Sequence, residues 1–227
     1  MKAEFDRFDQ TYEAELDDAI SFAGQEHEFY VDAKVRRLLE LARRRLGPRP
    51  LRVLDVGCGV GLTDARLLPH VEELEGVDVS PGMIERAREA NPAARYQVYD
   101  GIRLPFEDGT FDVSFAICVL HHVDVADRRP LVEEMGRVTK PDGLVAVFEH
   151  NPLNPLTRRV VRSCAFDEDA VLIGRSELVR LFRAAGLGVA DGEYLLFFPW
   201  RADALERRLT RLPLGAQYVV TGRPANQ

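Results

Sequence analysis

The feature that most constrains the fold is a glycine-rich turn that directly follows an apolar run. Residues 51–56 (LRVLDV) are predicted to form a buried strand, and residues 57–61 (GCGVG) follow at once. Glycines are needed at such a turn because the backbone must bend tightly and let a ligand approach without an intervening Cβ. A strand that enters a glycine-rich turn and then a helix is typical of nucleotide-binding α/β proteins.

From this turn onward, short apolar runs alternate with amphipathic stretches. Strands are predicted at 52–56, 73–77, 95–99, 111–117, 144–149, 189–197 and 217–221, and helices at 62–68, 81–90, 125–138, 175–185 and 202–209. Parallel neighbours need crossover connections, so this alternation predicts a parallel sheet that is covered by helices. The last two strands fall outside the alternation and are expected to pair antiparallel at one edge. The predicted fold is therefore a doubly wound α/β fold with a mostly parallel, seven-stranded sheet.

The residues before the first strand are predicted to be helical. Apolar residues from Val35 to Leu46 recur roughly on one helical face, and Gly47-Pro48 ends the pattern. We expect residues 1–47 to form an N-terminal helical lid or substrate cap, and residues 48–227 to form the main domain.

The spacing of the glycines counts against a dinucleotide cofactor, and two acidic residues at later strand ends indicate where a ribose and an adenine would bind. In the dinucleotide fingerprint the third glycine would be residue 62, but Leu62 stands there and the third glycine is Gly61. Asp78 ends the second predicted strand, where a carboxylate can accept both hydrogen bonds of a ribose diol. Asp100 ends the third predicted strand, where a carboxylate can accept from an adenine amino group. Because ligands of open α/β sheets bind at the carboxyl ends of the strands, both acids are expected at one site.

Taken together, these segments make the sequence similar to class I S-adenosylmethionine-dependent methyltransferases of the small-molecule type. The matching segments are 54–61 (LDVGCGVG), 76–80 (GVDVS), 104–112 (LPFEDGTFD), 119–123 (VLHHV) and 134–143 (EMGRVTKPDG), together with Asp100. The resemblance is close over residues 51–150 and looser toward both ends. It implies that the cofactor is S-adenosylmethionine and that the protein is an enzyme.

The resemblance also implies which residues bind the cofactor. They are Tyr12, Asp55, Gly57, Cys58, Gly59, Asp78, Val79, Met83, Asp100, Gly101 and Cys118. Asp55 and the glycines would line the methionine end, and Met83 would pack on the adenine. Cys118 would face the sulfonium region. Tyr12 belongs to an N-terminal element that often reaches the cofactor carboxylate, although this sequence spaces that element differently.

Three histidines are predicted near the acceptor. Methyl transfer is an in-line displacement, and any general base belongs near the end of the fourth or fifth strand. His121 and His122 follow the fourth strand and His150 follows the fifth. Histidine titrates near neutrality and can accept a proton from a hydroxyl or an amine. Adjacent side chains are not expected to point at one site, so His150 is the favoured base within the predicted catalytic set His150, His121 and His122.

Four further residues are predicted to contact the acceptor. Phe29 and Tyr30 lie on the N-terminal helix, where core packing is an equally good interpretation. Arg158 and Arg162 share a helical face and could clamp a carboxylate or phosphate, although a solvated helix face is the commoner arrangement. The acceptor is accordingly expected to be a small metabolite or natural-product intermediate, either anionic or neutral. Oxygen is the favoured methylated atom, and nitrogen is the less favoured alternative.

Composition limits the other partners. Thirty basic and 37 acidic side chains give a formal net charge of −7, which disfavours nucleic acid. No apolar run approaches the roughly 20 residues of a membrane span, and no signal peptide is recognised, so a cytoplasmic location is expected. The three cysteines lack zinc-site spacing, and no metal is predicted. The alternative function is a non-catalytic cofactor-binding protein or a methyltransferase-like subunit that serves a partner.

Overall fold

The computed structural model describes residues 27–164, 167–198 and 203–224. Tyr12 and residues 1–26 of the predicted cap lie outside these ranges. Among the described helices, none is both long enough and apolar enough to cross a membrane.

The described residues form a single seven-stranded sheet with helices on both faces. The strands are β1 (Arg52–Val56), β2 (Glu73–Asp78), β3 (Arg95–Val98), β4 (Phe111–Ile117), β5 (Thr139–His150), β6 (Leu187–Leu195) and β7 (Gln217–Pro224). The helices are α1 (His27–Leu46), α2 (Leu62–Leu67), α3 (Pro81–Ala90), α4 (Arg128–Val138), α5 (Pro155–Ser163), α6 (Arg175–Ala184) and α7 (Asp203–Leu209). Short 3-10 turns occupy Leu68–His70 and Leu120–His122.

The strand order is β3-β2-β1-β4-β5-β7-β6. Strands β1 to β5 run parallel, whereas β7 is antiparallel to both β5 and β6. This confirms the predicted doubly wound, mostly parallel sheet and the antiparallel last pair. The chain leaves β1 toward β2 on one side and returns to β4 on the other, so the order reverses beside β1. In open α/β sheets, ligands bind in the crevice at such a reversal.

Two apolar layers cover the sheet. On one face, Leu178 and Phe182 of α6 join a buried cluster with residues of α4 and the sheet. On the other face, Val35 and Leu38 of α1 pack in a cluster that includes Phe148. Helix α1 is therefore built into the core of the main domain along most of its length. A domain boundary at residue 47 stays a prediction.

Several element boundaries differ from those expected. Helix α4 begins at Arg128 and not at residue 125, because the backbone N–H groups of Asp127 and Arg128 both donate to the Asp124 carbonyl in a preceding turn. Helix α5 was absent from the predicted helices. The sequence nevertheless contains a local signal for the start of α5. The Asn154 side chain accepts from the backbone N–H groups of Leu156 and Thr157, and a proline follows Asn154.

Candidate active site

A cavity of about 530 Å³ opens at the carboxyl ends of the parallel strands, beside the reversal of strand order. Most of the described residues that were predicted to bind the cofactor line it. They are Asp55, Gly57, Cys58, Gly59, Asp78, Val79, Met83, Gly101 and Cys118. Residues of α1 and the predicted histidines line the same cavity. One continuous space therefore contacts both groups of predicted site residues.

The glycine turn after β1 needs its glycines for two different reasons. Gly57 and Gly59 have φ angles of 79° and 53°, which favour glycine. A Cβ on Gly57 would lie 2.5 Å from the Val119 side chain, so this position is closely packed. A Cβ on Gly59 would meet nothing within 4 Å, so the backbone there borders open space. Gly59 can therefore present its backbone to a ligand without a side chain in the way.

Asp78 at the end of β2 ties this turn to the second strand. Its carboxylate accepts from the backbone N–H of Gly59 at 2.9 Å and from that of Ser80 at 3.0 Å. A carboxylate offers about four acceptor positions, so the oriented Asp78 can also receive the hydroxyls of a ribose. Next to it, the Ser80 hydroxyl accepts from the backbone N–H of Met83 at 3.2 Å and caps α3. That cap holds the buried Met83 in the cavity wall.

A pair of buried carboxyl groups lies under the turn. Asp55 is only 3% exposed, and its Oδ1 atom has no hydrogen-bond partner within the described part of the chain. Burial and the nearby Asp64 raise the pKa of Asp55 well above its usual value. Burial also raises the pKa of Asp64 to about 7, although the Tyr96 hydroxyl donates to it at 2.8 Å. An unsatisfied carboxyl oxygen of a cavity-lining residue fits a ligand ammonium group.

Asp100 is placed differently from the expectation. Its Oδ1 atom accepts from the backbone N–H groups of Ile102 and Arg103, at 2.8 and 3.0 Å, and the residue is exposed. The neighbouring Gly101 and Tyr99 line the cavity, whereas Asp100 is not among its lining residues. Contact between the Asp100 carboxylate and adenine stays a prediction.

Cys118 follows β4 in a left-handed conformation, with φ of 58°. Such a backbone is uncommon for a residue other than glycine and often occurs at functional sites. The Gln217 side chain approaches its Sγ atom at 3.5 Å. Burial raises the pKa of Cys118 to about 11, and burial also raises that of Cys58. Both cavity-lining cysteines are therefore thiols at neutral pH.

The three predicted histidines meet at one wall of the cavity, which we call the histidine wall (His121, His122 and His150). The Nδ1 atom of His121 lies 2.6 Å from Oε2 of Glu149. Its Nε2 atom lies 3.4 Å from Oδ1 of Asp167, and Nε2 of His122 lies 3.2 Å from the same oxygen. The expectation that adjacent histidines diverge is therefore wrong. The 3-10 turn at residues 120–122 brings both imidazoles to one carboxylate, as an extended strand would not.

Charge is distributed unevenly along this wall. Burial opposes a charge on His121, but Glu149 and Asp167 outweigh burial and raise the pKa of His121 well above its usual value. The ring centroid of His150 lies 5.1 Å from that of His121, and His150 makes no ion pair with a carboxylate in the part of the chain that the structure describes. Its Nδ1 atom lies 3.4 Å from the Gln217 side-chain amide. Burial and the neighbouring His121 cation lower the pKa of His150 to about 4. At neutral pH the wall thus presents a neutral His150 beside a charged, carboxylate-bound His121.

The sequence interpretation missed Glu149, Asp167 and Asp64. Glu149 is completely buried in β5, where its Oε1 atom also accepts from the backbone N–H of Leu120 at 2.7 Å. An acidic residue inside an otherwise apolar strand, next to His150, was the available signal. Asp167 had no comparable signal, because it lies in a charged loop far along the chain from His121.

The residues predicted to contact the acceptor are divided between the cavity and the surface. Tyr30 lines the cavity, whereas Phe29 packs edge-on against it, with ring centroids 5.2 Å apart, and joins the core. Arg158 and Arg162 lie on the exposed face of α5 and line a separate shallow depression. Lys34, which was not predicted, lines the main cavity and has no ion-pair or hydrogen-bond partner among the described residues.

The sheet order, the glycine turn after β1 and the acid after β2 define the class I S-adenosylmethionine-dependent methyltransferase fold. Residues 54–147 are a methyltransferase domain, since they match the family model of that description. S-adenosylmethionine is accordingly the cofactor of this domain. The open space at Gly59 and the unsatisfied Oδ1 atom of Asp55 fit its backbone contacts and its ammonium group.

Known proteins support this assignment over part of the chain. The chain is 34% identical over 127 residues to 2-methyl-6-phytyl-1,4-hydroquinone methyltransferase of Synechocystis, a match of 51% of this chain and 39% of that protein. It is 32% identical over 124 residues to O-methyltransferase resE of Aspergillus sclerotiorum, a match of 52% of this chain and 46% of that protein. These matches thus span less than half the length of either relative.

A solved structure covers nearly the whole chain. It is a SAM-dependent methyltransferase of Thermotoga maritima, with a TM-score of 0.70, 22% identity, and coverage of 98% of this chain and 99% of that one. At this identity the likeness shows the fold alone.

Proposed function

We propose that the protein transfers the methyl group of S-adenosylmethionine to an oxygen of a small acceptor bound in the same cavity. The observation that carries this proposal is the continuity of the cavity. It contacts Asp55 and Asp78 at the cofactor end and the histidine wall at the other end. S-adenosylmethionine supplies a methyl group on a positively charged sulfur, which is open to in-line displacement. The protein's own task is then to align the acceptor and exclude water.

At the cofactor end, most of the predicted residues receive a proposed contact. Asp55 receives the ammonium group, Asp78 the ribose hydroxyls, and the backbone at Gly57 and Gly59 the methionine portion. Val79, Met83 and Gly101 form the adenine side, and Cys118 borders the sulfonium. The contribution of Tyr12 stays part of the proposal.

At the acceptor end, the histidine wall supports an oxygen as the methylated atom. A hydroxyl must lose its proton during transfer, whereas a neutral amine already has a free lone pair. The polar groups that can take part in moving a proton are concentrated here. We propose that His150 acts directly at the acceptor, since both nitrogens of His121 face carboxylates. His121 and His122 then hold the wall in position. The relatives include both an O-methyltransferase and an N-methyltransferase, so the choice of oxygen rests on the histidine wall alone.

Lys34 supports an acceptor that carries a negative charge. It lies in the cavity, one helical turn beyond Tyr30, and makes no ion pair or hydrogen bond with a described residue, although its charge acts against the raised pKa of Asp55. Arg158 and Arg162 were the residues first expected to bind an anion, but they lie outside the cavity lining. We therefore propose Lys34 as the main anion contact. Arg158 and Arg162 would contact only an acceptor that extends beyond the cavity.

The direct test is S-adenosylhomocysteine release over a panel of small acceptors in matched sets. Each set offers a hydroxyl or an amine, with and without a carboxylate. We expect release with hydroxyl acceptors and a preference for those with a carboxylate. The Lys34→Met variant should raise KM for the carboxylate-bearing acceptor about tenfold, because a charged hydrogen bond is lost. The matched Arg158→Met variant should change it less than about twofold.

The outcomes separate the alternatives. Turnover with amines only would contradict the oxygen assignment, and an effect of Arg158→Met without one of Lys34→Met would contradict the proposed anion contact. Cofactor binding without turnover on any acceptor of the panel would favour a non-catalytic protein or a subunit that serves a partner.

A further inference from the structure

Three side chains of the acceptor end bring potential metal ligands together. One ligand atom each from His121, His150 and Asp167 lies within 4.8 Å of the other two. His121 and Asp167 are only 2% and 6% exposed, and all three residues line the cavity. The cluster therefore lies at the cavity wall and not on the outer surface.

The Asp167 carboxylate is held in its charged form by the two neighbouring histidines, but its buried Oδ1 atom lacks a well-directed hydrogen bond to any described residue. Two imidazole nitrogens nevertheless lie close to it, the Nε2 atoms of His121 and His122 at 3.4 and 3.2 Å. A buried carboxylate oxygen that faces imidazole nitrogens without a directed hydrogen bond is in a suitable place to bind a cation.

Glu149 orients the first of these imidazoles. Its Oε2 atom lies 2.6 Å from Nδ1 of His121, and its Oε1 atom is held by the backbone N–H of Leu120. The Nε2 atom of His121 is therefore directed away from Glu149, toward Asp167 and the cavity. A carboxylate on the far nitrogen of a ligating histidine is the usual support of metal sites, because it selects the tautomer and holds the ring.

The spacing is close to what a small transition-metal ion requires. Ligand bonds of about 2.0–2.1 Å in a tetrahedral zinc site place ligand atoms about 3.4 Å apart. The separation of His121 Nε2 and Asp167 Oδ1 already has this value, 3.4 Å. All three ligand atoms lie within 4.8 Å of one another, so reaching a separation of 3.4 Å requires the ligand atom of His150 to approach by at most about 1.4 Å, which a rotation of its half-buried ring can supply.

We propose that His121, His150 and Asp167 bind a divalent transition-metal ion of the zinc class, which displaces the Nε2 proton of the His121 cation to solvent. Two imidazoles and one carboxylate suit such an ion better than magnesium or calcium, which prefer oxygen ligands throughout. Three protein ligands leave one position open, as in catalytic zinc sites, and the cavity supplies the space for it. An ion there would promote loss of the acceptor hydroxyl's proton to solvent. In the metal-bound protein His150 would therefore act at the acceptor through the ion that it ligates, and not as a free base. This catalytic role, unlike the binding itself, rests on the proposed methyl transfer.

Metal binding is tested on the full-length protein without an affinity tag. The protein is stripped with a chelator and titrated calorimetrically with Zn²⁺ alone, and its metal content is measured by atomic emission after dialysis. We expect one equivalent per chain. Asp167→Asn and His150→Gln should each weaken binding at least about 100-fold, and Glu149→Gln about 10- to 100-fold. His70→Gln, which alters an exposed histidine, is the matched control and should bind like the wild type.

Other results would overturn the inference. Less than about 0.1 equivalent of bound zinc in the wild type would do so, as would unchanged affinity in Asp167→Asn with a native circular dichroism spectrum. Full methyl transfer by the metal-free protein would contradict the catalytic role while leaving the proposed function intact. Stoichiometric zinc binding with no turnover on any acceptor would instead support the site and count against the proposed function.

Discussion

At the scale of single residues, the neighbouring charged and hydrogen-bonding side chains determine whether a buried acidic group at the cavity is ionised. Asp64 and Glu149 are both completely buried, and burial alone raises the pKa of a carboxyl group. Asp64 lies beside Tyr96 and Asp55, and burial raises the pKa of Asp64 to about 7. Burial acts equally on Glu149, but the His121 cation at 2.6 Å outweighs it and lowers the Glu149 pKa. At neutral pH a proton is therefore retained on Asp64 at the cofactor end, whereas Glu149 at the acceptor end is ionised beside the protonated His121.

The raised pKa of Asp64 predicts a pH dependence of stability. The folded state keeps a proton that the unfolded chain releases near the usual value of about 3.9. The contribution of this group is therefore largest at low pH and is lost as pH rises toward about 7, by an amount on the order of 2–4 kcal/mol. Urea unfolding of the wild type and Asp64→Asn at several pH values between 5 and 8 measures it. We expect the wild type to lose more stability over this range than the variant.

Comparing the two slopes cancels the titrating groups that do not interact with Asp64, including His121. Asp55 is coupled to Asp64, so the difference between the slopes belongs to the Asp55–Asp64 pair. The Asp142→Asn variant is the control, because Asp142 is exposed and makes no interaction with a described residue. It should keep the wild-type slope. Parallel slopes for the wild type and Asp64→Asn would show that Asp64 does not hold a proton in the folded state.

At the scale of elements, structural features that depend on neighbouring residues could be predicted from the sequence. Features that depend on tertiary contacts could not. The glycine turn after β1 and the Ser80-Pro81 start of α3 depend on neighbouring residues, and the sequence predicts both correctly. The start of α4 and the 3-10 turn at Leu120–His122 were missed, because apolar spacing does not reveal the turns that precede a helix or follow a strand. Placing two adjacent histidines on one carboxylate depends on that second turn.

Helix α1 provides the prediction at this scale. Leu38 is 2% exposed in the cluster between α1 and the sheet. Leu38→Ala should lower the free energy of unfolding by about 2–5 kcal/mol, because it leaves a cavity at the helix–sheet contact. Urea unfolding followed by circular dichroism measures the change. Arg43→Ala, on the exposed side of the same helix, should stay within about 0.5 kcal/mol of the wild type. An unchanged main transition in Leu38→Ala would identify α1 as a separable cap.

At the scale of the whole molecule, the fold class was more predictable than the site. Alternating apolar runs and crossover geometry predict a parallel sheet with its ligand site at the carboxyl ends of the strands. They do not predict that β7 inserts between β5 and β6, because that order depends on long-range pairing. The same limit applies to Asp167 and Lys34, which reach the cavity from a distant loop and from a helix. The residue types in the sequence were enough to predict most of the residues that line the cofactor end of the cavity. At the acceptor end, Asp167 and Lys34 could not be predicted, because long-range folding brings them to the cavity.

The most direct test of the account is calorimetric binding of S-adenosylmethionine to the wild type, Asp78→Asn and Asp142→Asn. We expect clear binding to the wild type and unchanged affinity in the exposed control Asp142→Asn. Asp78→Asn should bind about 30-fold more weakly, a loss of about 2 kcal/mol, because the charged acceptor for the ribose hydroxyls is removed. Circular dichroism and thermal unfolding verify that this variant is folded. Equal affinity in the wild type and a folded Asp78→Asn would contradict the assignment of this cavity as the cofactor site.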